Sequence, residues 1–306
     1  GLFPSCPMSD QNPLLPAIAS ASGGALTTST GQQRMATRMA ENLLDVARSQ
    51  ERALAAQRRY RIGDYEFREA DHAQIHRWAR RLGMEPEVVV EGLKISKKKH
   101  RFGDVRFHVK DGAMVSLAWD FNLFPLSDWD WGAGLSIERL GILKAPNGQL
   151  PALPHCLREL ICDKNNLTSM NLSHLPKLQK LDCCFNELTD LDLTPVPELQ
   201  ILCCRFNELS CLDLTPTPQL KELSCGGNKL TELDLAAVHG LQEIDCWVNE
   251  LIELDLTPVP ALQKLYCWFN PLTALDLTPV SGLRVLMCNN KVEISNGSLD
   301  LEVRRV

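Results

Sequence analysis

The sequence predicts an α/β repeat protein: a solenoid of short parallel strands without full convex helices, preceded by an α-helical N-terminal cap domain. Three observations predict it. Seven of the twelve cysteines recur every 21 residues, as Cys162, Cys183, Cys204, Cys225, Cys246, Cys267 and Cys288. An asparagine three residues later and leucines five, ten and sixteen residues later keep the same interval. Upstream, residues 31–95 change character, and residues 32–61 carry a helical pattern rich in Ala, Arg, Leu and Gln.

Composition narrows the field before any motif is read. The 306 residues carry a net charge of −6, with 44% apolar and 23% charged side chains. That balance is ordinary for a globular chain and carries no global polyanion-binding signature. No run approaches the length of a transmembrane helix. The first thirty residues lack the basic flank and apolar core of a Sec-type signal peptide, so neither segment is expected.

Along the chain, residues 1–30 are rich in Ser, Thr, Ala, Gly and Pro and are expected to be disordered, with Met8 the more natural start. Residues 31–104 are expected to form the helical cap domain: one helix over 32–61, a second capped by Asp71 and running to Leu82, and a third opened by Glu85 and Pro86. Sixteen Lys/Arg against ten Asp/Glu make residues 30–101 positive by six, leaving the remainder at −12. Segment 105–156 reads as a hairpin turning at Asp111 and Gly112, followed by degenerate first repeats in which Trp119, Leu140 and Leu160 keep nearly the same spacing. The ladder repeats occupy 157–291. Residues 292–306 lack the ladder residues and read as a C-terminal cap over the last apolar edge.

Each ladder position has a physical role. In LQKLDCCFNELTDLDLTPVPE, residues 178–198, the segment Leu181-Asp182-Cys183 is a short strand that sends Leu181 and Cys183 inward. The asparagines (165, 186, 207, 228, 249, 270) end the strand, and an amide side chain serves a carbonyl and an N–H of adjacent coils at once. Prolines 195, 197, 216, 218, 258 and 260 exclude a helix on the far side. Such a period with leucines and asparagine in register is the signature of a leucine-rich repeat. The cysteine ladder resembles that of internalin-J-like bacterial proteins over residues 157–290. The upstream segment NGQLPALPHCLREL, residues 147–160, is similar to the repeats of invasion-plasmid-antigen type effectors. The resemblance implies a bacterial interaction protein; invasion-antigen type ligases carry a catalytic domain after their repeats, and no such domain is expected here.

No phosphate loop, nucleophile elbow or catalytic acid pair stands out, so no enzyme activity and no cofactor is expected. The cysteine ladder reads as a row of small buried hydrophobes, since a metal site needs convergent ligands. Its thiols fit a reducing compartment: the cytoplasm, or a host cytosol after secretion, ahead of the cell surface. His72 and His76 share a helix face without a third ligand, so no metal is expected there. The acidic ladder Asp192, Asp213, Asp234, Asp255 and Asp276 reads as caps of the Thr-Pro turns rather than a calcium site, and Phe185, Phe206 and Phe269 as a stacked spine.

The outward positions beside each ladder cysteine vary from coil to coil. They place Trp247, Tyr266 and Trp268 side by side on the concave surface next to Met287, flanked by Asp245, Lys264 and Arg205. That composition is expected to form an exposed protein-binding hot spot. Cys184 and Cys203 lie diagonally on the same surface and are expected to be neutral, exposed thiols, with pairing or reaction between them left open. The function expected is non-enzymatic binding of a protein partner, with no membrane contact. Two alternatives stand beside it: a type III-like secreted effector acting on host proteins, and a nucleic-acid-binding regulator using a helix-turn-helix over 75–90 with the basic run at 97–101. Glu85, Glu87 and Glu91 make that second helix acidic where DNA contact needs the opposite.

Overall fold

The computed structural model describes residues 30–98, 105–111, 113–125, 135–150, 152–295 and 302–305. The expectations for residues 1–29, for Lys99, His100 and Arg101, and for Gly112 lie outside them. The chain divides into two compact units, 1–56 and 57–306.

The first unit holds α1 (Thr30–Gln57). Its Ala, Leu, Arg and Gln content favours a helix intrinsically, and Met39, Leu43, Val46 and Leu54 are exposed on it. The helix stops short of residue 61 because β1 (Tyr60–Ile62) pairs antiparallel with β2 (Tyr65–Phe67), which buries Ile62 and Phe67.

In the second unit α2 (Glu69–Leu82) and α3 (Pro86–Ile95) follow the hairpin. Asp71 does not cap α2, which begins two residues earlier. It is buried in the first turn and accepts the Met114 backbone N–H at 3.0 Å and the Arg68 guanidinium at 3.4 Å. Arg68 also reaches Ser136 Oγ at 2.9 Å. Trp78 of α2 meets Trp119 edge-on, with ring centroids 4.8 Å apart, so the α2–α3 pair covers the N-terminal end of the repeat core.

Two antiparallel pairs come next: β3 (Lys97–Lys98) with β4 (Val105–Arg106), and β5 (His108–Lys110) with β6 (Ala113–Asp120). From β6 onward every pairing in the large sheet is parallel. Its strands are β7 (Arg139–Leu143), β8 (Glu159–Ile161), β9 (Lys180–Asp182), β10 (Ile201–Cys203), β11 (Glu222–Ser224), β12 (Glu243–Asp245) and β13 (Lys264–Tyr266). On the opposite side β14 (Ala274–Asp276) pairs with β16 (Glu293–Ser295), while β15 (Val285–Cys288) and β17 (Glu302–Arg305) extend the main sheet to eleven strands. Leu117, Leu140 and Leu160 occupy one register line. Trp119 instead pairs with Ile142, two positions further on.

The interior is a set of stacked columns. Leu181, Leu202, Leu223, Ile244, Leu265 and Leu286 align strand to strand and are buried, each contributing roughly 1.5–3 kcal/mol of apolar burial. On the proline side, successive tight turns replace a helix: the Val196 N–H donates to Leu193 O at 3.0 Å and the Leu199 N–H to Val196 O at 3.1 Å. Thr217 takes the buried place of Val196 and Val238, and its hydroxyl is satisfied by Leu214 O at 3.1 Å.

The asparagines join coils as their chemistry requires. Asn207 Nδ2 donates to Cys183 O and to Cys204 O at 3.0 Å each, and its Oδ1 accepts the Leu188 N–H at 3.1 Å. Asn186, Asn228, Asn249 and Asn270 repeat this bridging from coil to coil. The ladder thiols lie buried in the core. Cys162 and Cys183 donate weakly to the next coil's Asp182 O and Cys203 O at 3.4 and 3.5 Å. Cys183, Cys204 and Cys246 are wholly buried, which pushes their thiols well up, and they serve as packing elements. Each aspartate of the acidic row closes a local turn; Asp213 accepts both the N–H and the hydroxyl of Thr215, at 2.9 and 2.7 Å. These hydrogen bonds hold Asp192, Asp213, Asp255 and Asp276 below the usual carboxylate range. Among the described residues no helix is long and apolar enough to cross a membrane.

Candidate functional site

The strands β8 to β15 are so short that their outward residues and the residues just past the ladder cysteines form one surface. Parallel pairing puts Asp182, Cys203, Ser224, Asp245, Tyr266 and Met287 in one line. The second line, just past the cysteines, runs through Cys184, Arg205, Gly226, Trp247 and Trp268.

The expected aromatic group is present, but it is not freely exposed. Trp247, Tyr266, Trp268 and Met287 are half-buried, because the rings cover one another. The Trp247 and Trp268 rings stack with centroids 5.3 Å apart and planes 13° from parallel, and Tyr266 meets Trp268 edge-on at 6.1 Å. Trp247 leans over Gly226, where an added Cβ would lie 2.6 Å from the indole. Only glycine permits that approach. The indole then meets Phe206 edge-on at 5.3 Å, and Phe206 stacks on Phe185 at 4.5 Å. The phenylalanine spine therefore merges with the tryptophans into one aromatic row, which Lys164 Nζ extends by sitting 5.2 Å from the Phe185 ring centre. Phe269 is exposed at 58% and lies apart from that stack.

Charge on this face is organised differently from what sequence order suggests. Arg205 forms an ion pair with Asp245, two coils away, passing Ser224 Oγ at 3.4 Å. The small residues Ser224 and Gly226 on the intervening coil leave that path open. Asp245 is 5% exposed, and Arg205 Nε is buried without a hydrogen-bond partner, an orphan donor that costs free energy until an acceptor arrives. Lys264 pairs with Glu243 at 3.0 Å instead of flanking the aromatics as a solvated charge.

Cys184 and Cys203 depart from expectation. They are 5% and 2% exposed, not open thiols, with their sulfurs 2.8 Å apart. Adjacent parallel strands lie so close that side chains on a concave surface crowd one another, and two small sulfurs fill the space between Asp182 and Arg205. The ligand atoms of Asp182, Cys184 and Cys203 all fall within 4.8 Å. On α2, His72 and His76 bring their Nε2 atoms to 3.1 Å. Burial, then the neighbouring His76, holds His72 below the ordinary histidine value.

Sequence reasoning put Ser224 and Gly226 on the face by position without giving them a role, and read Phe185 and Phe206 as packing rather than as parts of it. The available signal was the drop to small side chains in one coil of an otherwise bulky column.

The register, the asparagine bridges and the buried sulfur column define a leucine-rich repeat solenoid built on a cysteine ladder. The chain is similar to the functional domain of InlJ from Listeria monocytogenes, which includes a cysteine ladder. The two are 30% identical over 61% of this chain and 46% of that one, with a TM-score of 0.48. Likeness extends to the leucine-rich repeat protein LIC12759 of Leptospira interrogans, at 18% identity over 56% of this chain and 61% of that one, TM-score 0.43. It extends also to an internalin, inlF, of Listeria monocytogenes, at 16% identity over 56% and 68%, TM-score 0.43. The chain spans less than half the length of the InlJ domain. No protein-family model and no curated protein matches the sequence.

Proposed function

We propose that this chain is a non-enzymatic binding scaffold that takes a protein partner on its concave face, across Trp247, Tyr266, Trp268 and Met287 and against Arg205. The observation that carries this reading is the stacked tryptophan pair beside a desolvated Arg205–Asp245 ion pair whose Nε still lacks an acceptor. Aromatic and arginine anchors in a sheltered setting are what binding hot spots are made of. A reducing compartment, the cytoplasm or a host cytosol after export, agrees with the column of thiols.

Immobilised wild-type protein and the Trp247→Ala/Trp268→Ala variant, compared for capture of interacting proteins, test the reading. An Ile252→Ser variant, at an exposed position elsewhere on the coil, serves as control. Capture retained by the control and lost by the double variant, with both cooperatively folded, is expected. Equal capture by all three overturns the site. Among the described residues, His72, His76, Arg77 and Arg80 on α2 are what speaks for nucleic-acid contact, while α3 exposes Glu87 and Glu91. The effector alternative rests on the composition of residues 1–29.

A further inference from the structure

The concave face holds one pair of cysteines that the ladder does not explain. Cys184 and Cys203 project to the opposite side of the sheet from Cys183 and Cys204, their immediate neighbours in sequence. Leucine-like packing accounts for the ladder sulfurs, each in line with the next coil's cysteine. It does not account for two sulfurs drawn to 2.8 Å with an Asp182 carboxylate oxygen within 4.8 Å of both.

We propose that Cys184 and Cys203 are a redox-active pair that closes to a disulfide between adjacent coils by exchange with a low-molecular-weight disulfide. A disulfide needs its sulfurs at about 2.0 Å, so the pair closes by less than an ångström. A shared tetrahedral metal with bonds of about 2.3 Å would hold two sulfurs roughly 3.8 Å apart. The pair would then have to open. Asp182 Oδ1 accepts the Cys184 N–H at 2.9 Å and fixes the turn that presents this sulfur. Cys184, the more exposed of the two, is the attacking group.

The exchange balances as follows. Cys184 loses its proton to solvent, and its thiolate attacks one sulfur of the small disulfide. One small thiolate is expelled and takes up a proton, leaving a mixed disulfide on Cys184. Cys203, deprotonated in turn, attacks the Cys184 sulfur and expels the second small thiolate. Two protein thiols are oxidised by two electrons, and one small disulfide is reduced to two small thiols. Contact with Cys203, and then burial, pushes the Cys184 thiol up, so the exchange quickens as pH rises.

The test uses the full-length protein equilibrated in glutathione buffers of increasing oxidised fraction, quenched with acid, alkylated after unfolding and mapped by peptide fragmentation. The fragmentation must separate Cys184 from Cys183 and Cys203 from Cys204. The expected product links Cys184 to Cys203, two hydrogens lighter than the same two peptides reduced, with the seven ladder cysteines alkylated. Cys184→Ser and Cys203→Ser each abolish the link and leave at most one glutathione on the remaining thiol. Three results overturn the proposal: a link through Cys183 or Cys204, full alkylation of both thiols in buffers that oxidise a reference dithiol, or one zinc per chain that shields both thiols and is lost in Cys184→Ser. The wild-type map alone separates the expected link from a link through Cys183 or Cys204 and from full alkylation, so those outcomes do not depend on the variants folding or on where a protein partner binds.

Discussion

The indole of Trp247 lies face to face with that of Trp268 on the neighbouring coil, planes 13° from parallel and centroids 5.3 Å apart. Neither ring can be removed without uncovering the other. Trp268→Ala is expected to lower stability by about 1–2 kcal/mol, the loss of one half-buried aromatic contact. It should also abolish the exciton-coupled circular dichroism of the stacked pair. A couplet that persists in this variant would show that the two rings are not stacked in solution.

Asn207 serves four backbone groups on two coils. Asn207→Ala leaves two carbonyls and an N–H buried without that partner and is expected to cost about 2–4 kcal/mol. Asn207→Asp should be no better, because a carboxylate cannot donate to Cys183 O and Cys204 O. Urea midpoints of the two variants measure this, and a wild-type midpoint in either would remove the asparagines from the account of what joins the coils.

Buried thiols make the solenoid sensitive to alkali. Cys183, Cys204 and Cys246 are held well above the ordinary thiol value of 9.0 by burial. Above that value the unfolded chain releases protons that the folded chain keeps, so stability is intact below it and falls as pH rises. The urea midpoint is expected to drop steeply above about pH 9, and less steeply in Cys204→Ala. In the native state the exposed Cys211 should react with a thiol reagent at once and the ladder cysteines only on unfolding.

Val248 holds φ +50 in the turn after its ladder cysteine, and the matching position one coil earlier is Gly227 at φ +69. A β-branched residue in the left-handed region is strained by about 1–2 kcal/mol. Val248→Asn should therefore raise the melting temperature by a few degrees. Gly227→Ala should lower it, since the added Cβ would sit 2.7 Å from the Phe206 ring. Opposite signs are the observable; a stabilised Gly227→Ala would contradict the crowding.

Asp71 shows how a buried carboxyl makes its own pH dependence. Desolvation raises it above the ordinary 3.8 despite the Met114 N–H and Arg68. Between the two values the folded chain keeps a proton that the unfolded chain has lost, so stability falls as pH rises through that window. Asp71→Asn keeps an acceptor for Met114 and removes the charge. Its thermal stability is expected to match or exceed wild type at pH 7, with the difference vanishing below pH 4. A large loss at pH 7 would mean that the Arg68 contact outweighs desolvation.

Most of the architecture was legible in residues 157–291 because a solenoid repeats its environment. Each coil offers the same inward slots, so Leu, Cys and Asn recur at fixed intervals and betray the register. Local chemistry went astray where tertiary contact competed with a local role. Asp71 has a helix-capping side chain, yet it is spent on Met114, and the helix pattern toward residue 61 yields to the β1–β2 pairing. On the concave face, periodicity places residues in columns but says nothing of which neighbours they touch.

The sequence by itself determined the repeat, its strand register, the inward sulfur column and the turn-closing aspartates, because each depends on spacing along the chain and on one residue's own chemistry. Only the tertiary structure decided that Trp247 folds over Gly226, that Arg205 passes a coil to reach Asp245, and that Cys184 and Cys203 meet out of solvent. Those contacts depend on side chains reaching across strands about 4.8 Å apart, where the size of the residue between them, and not its place in the repeat, sets who meets whom.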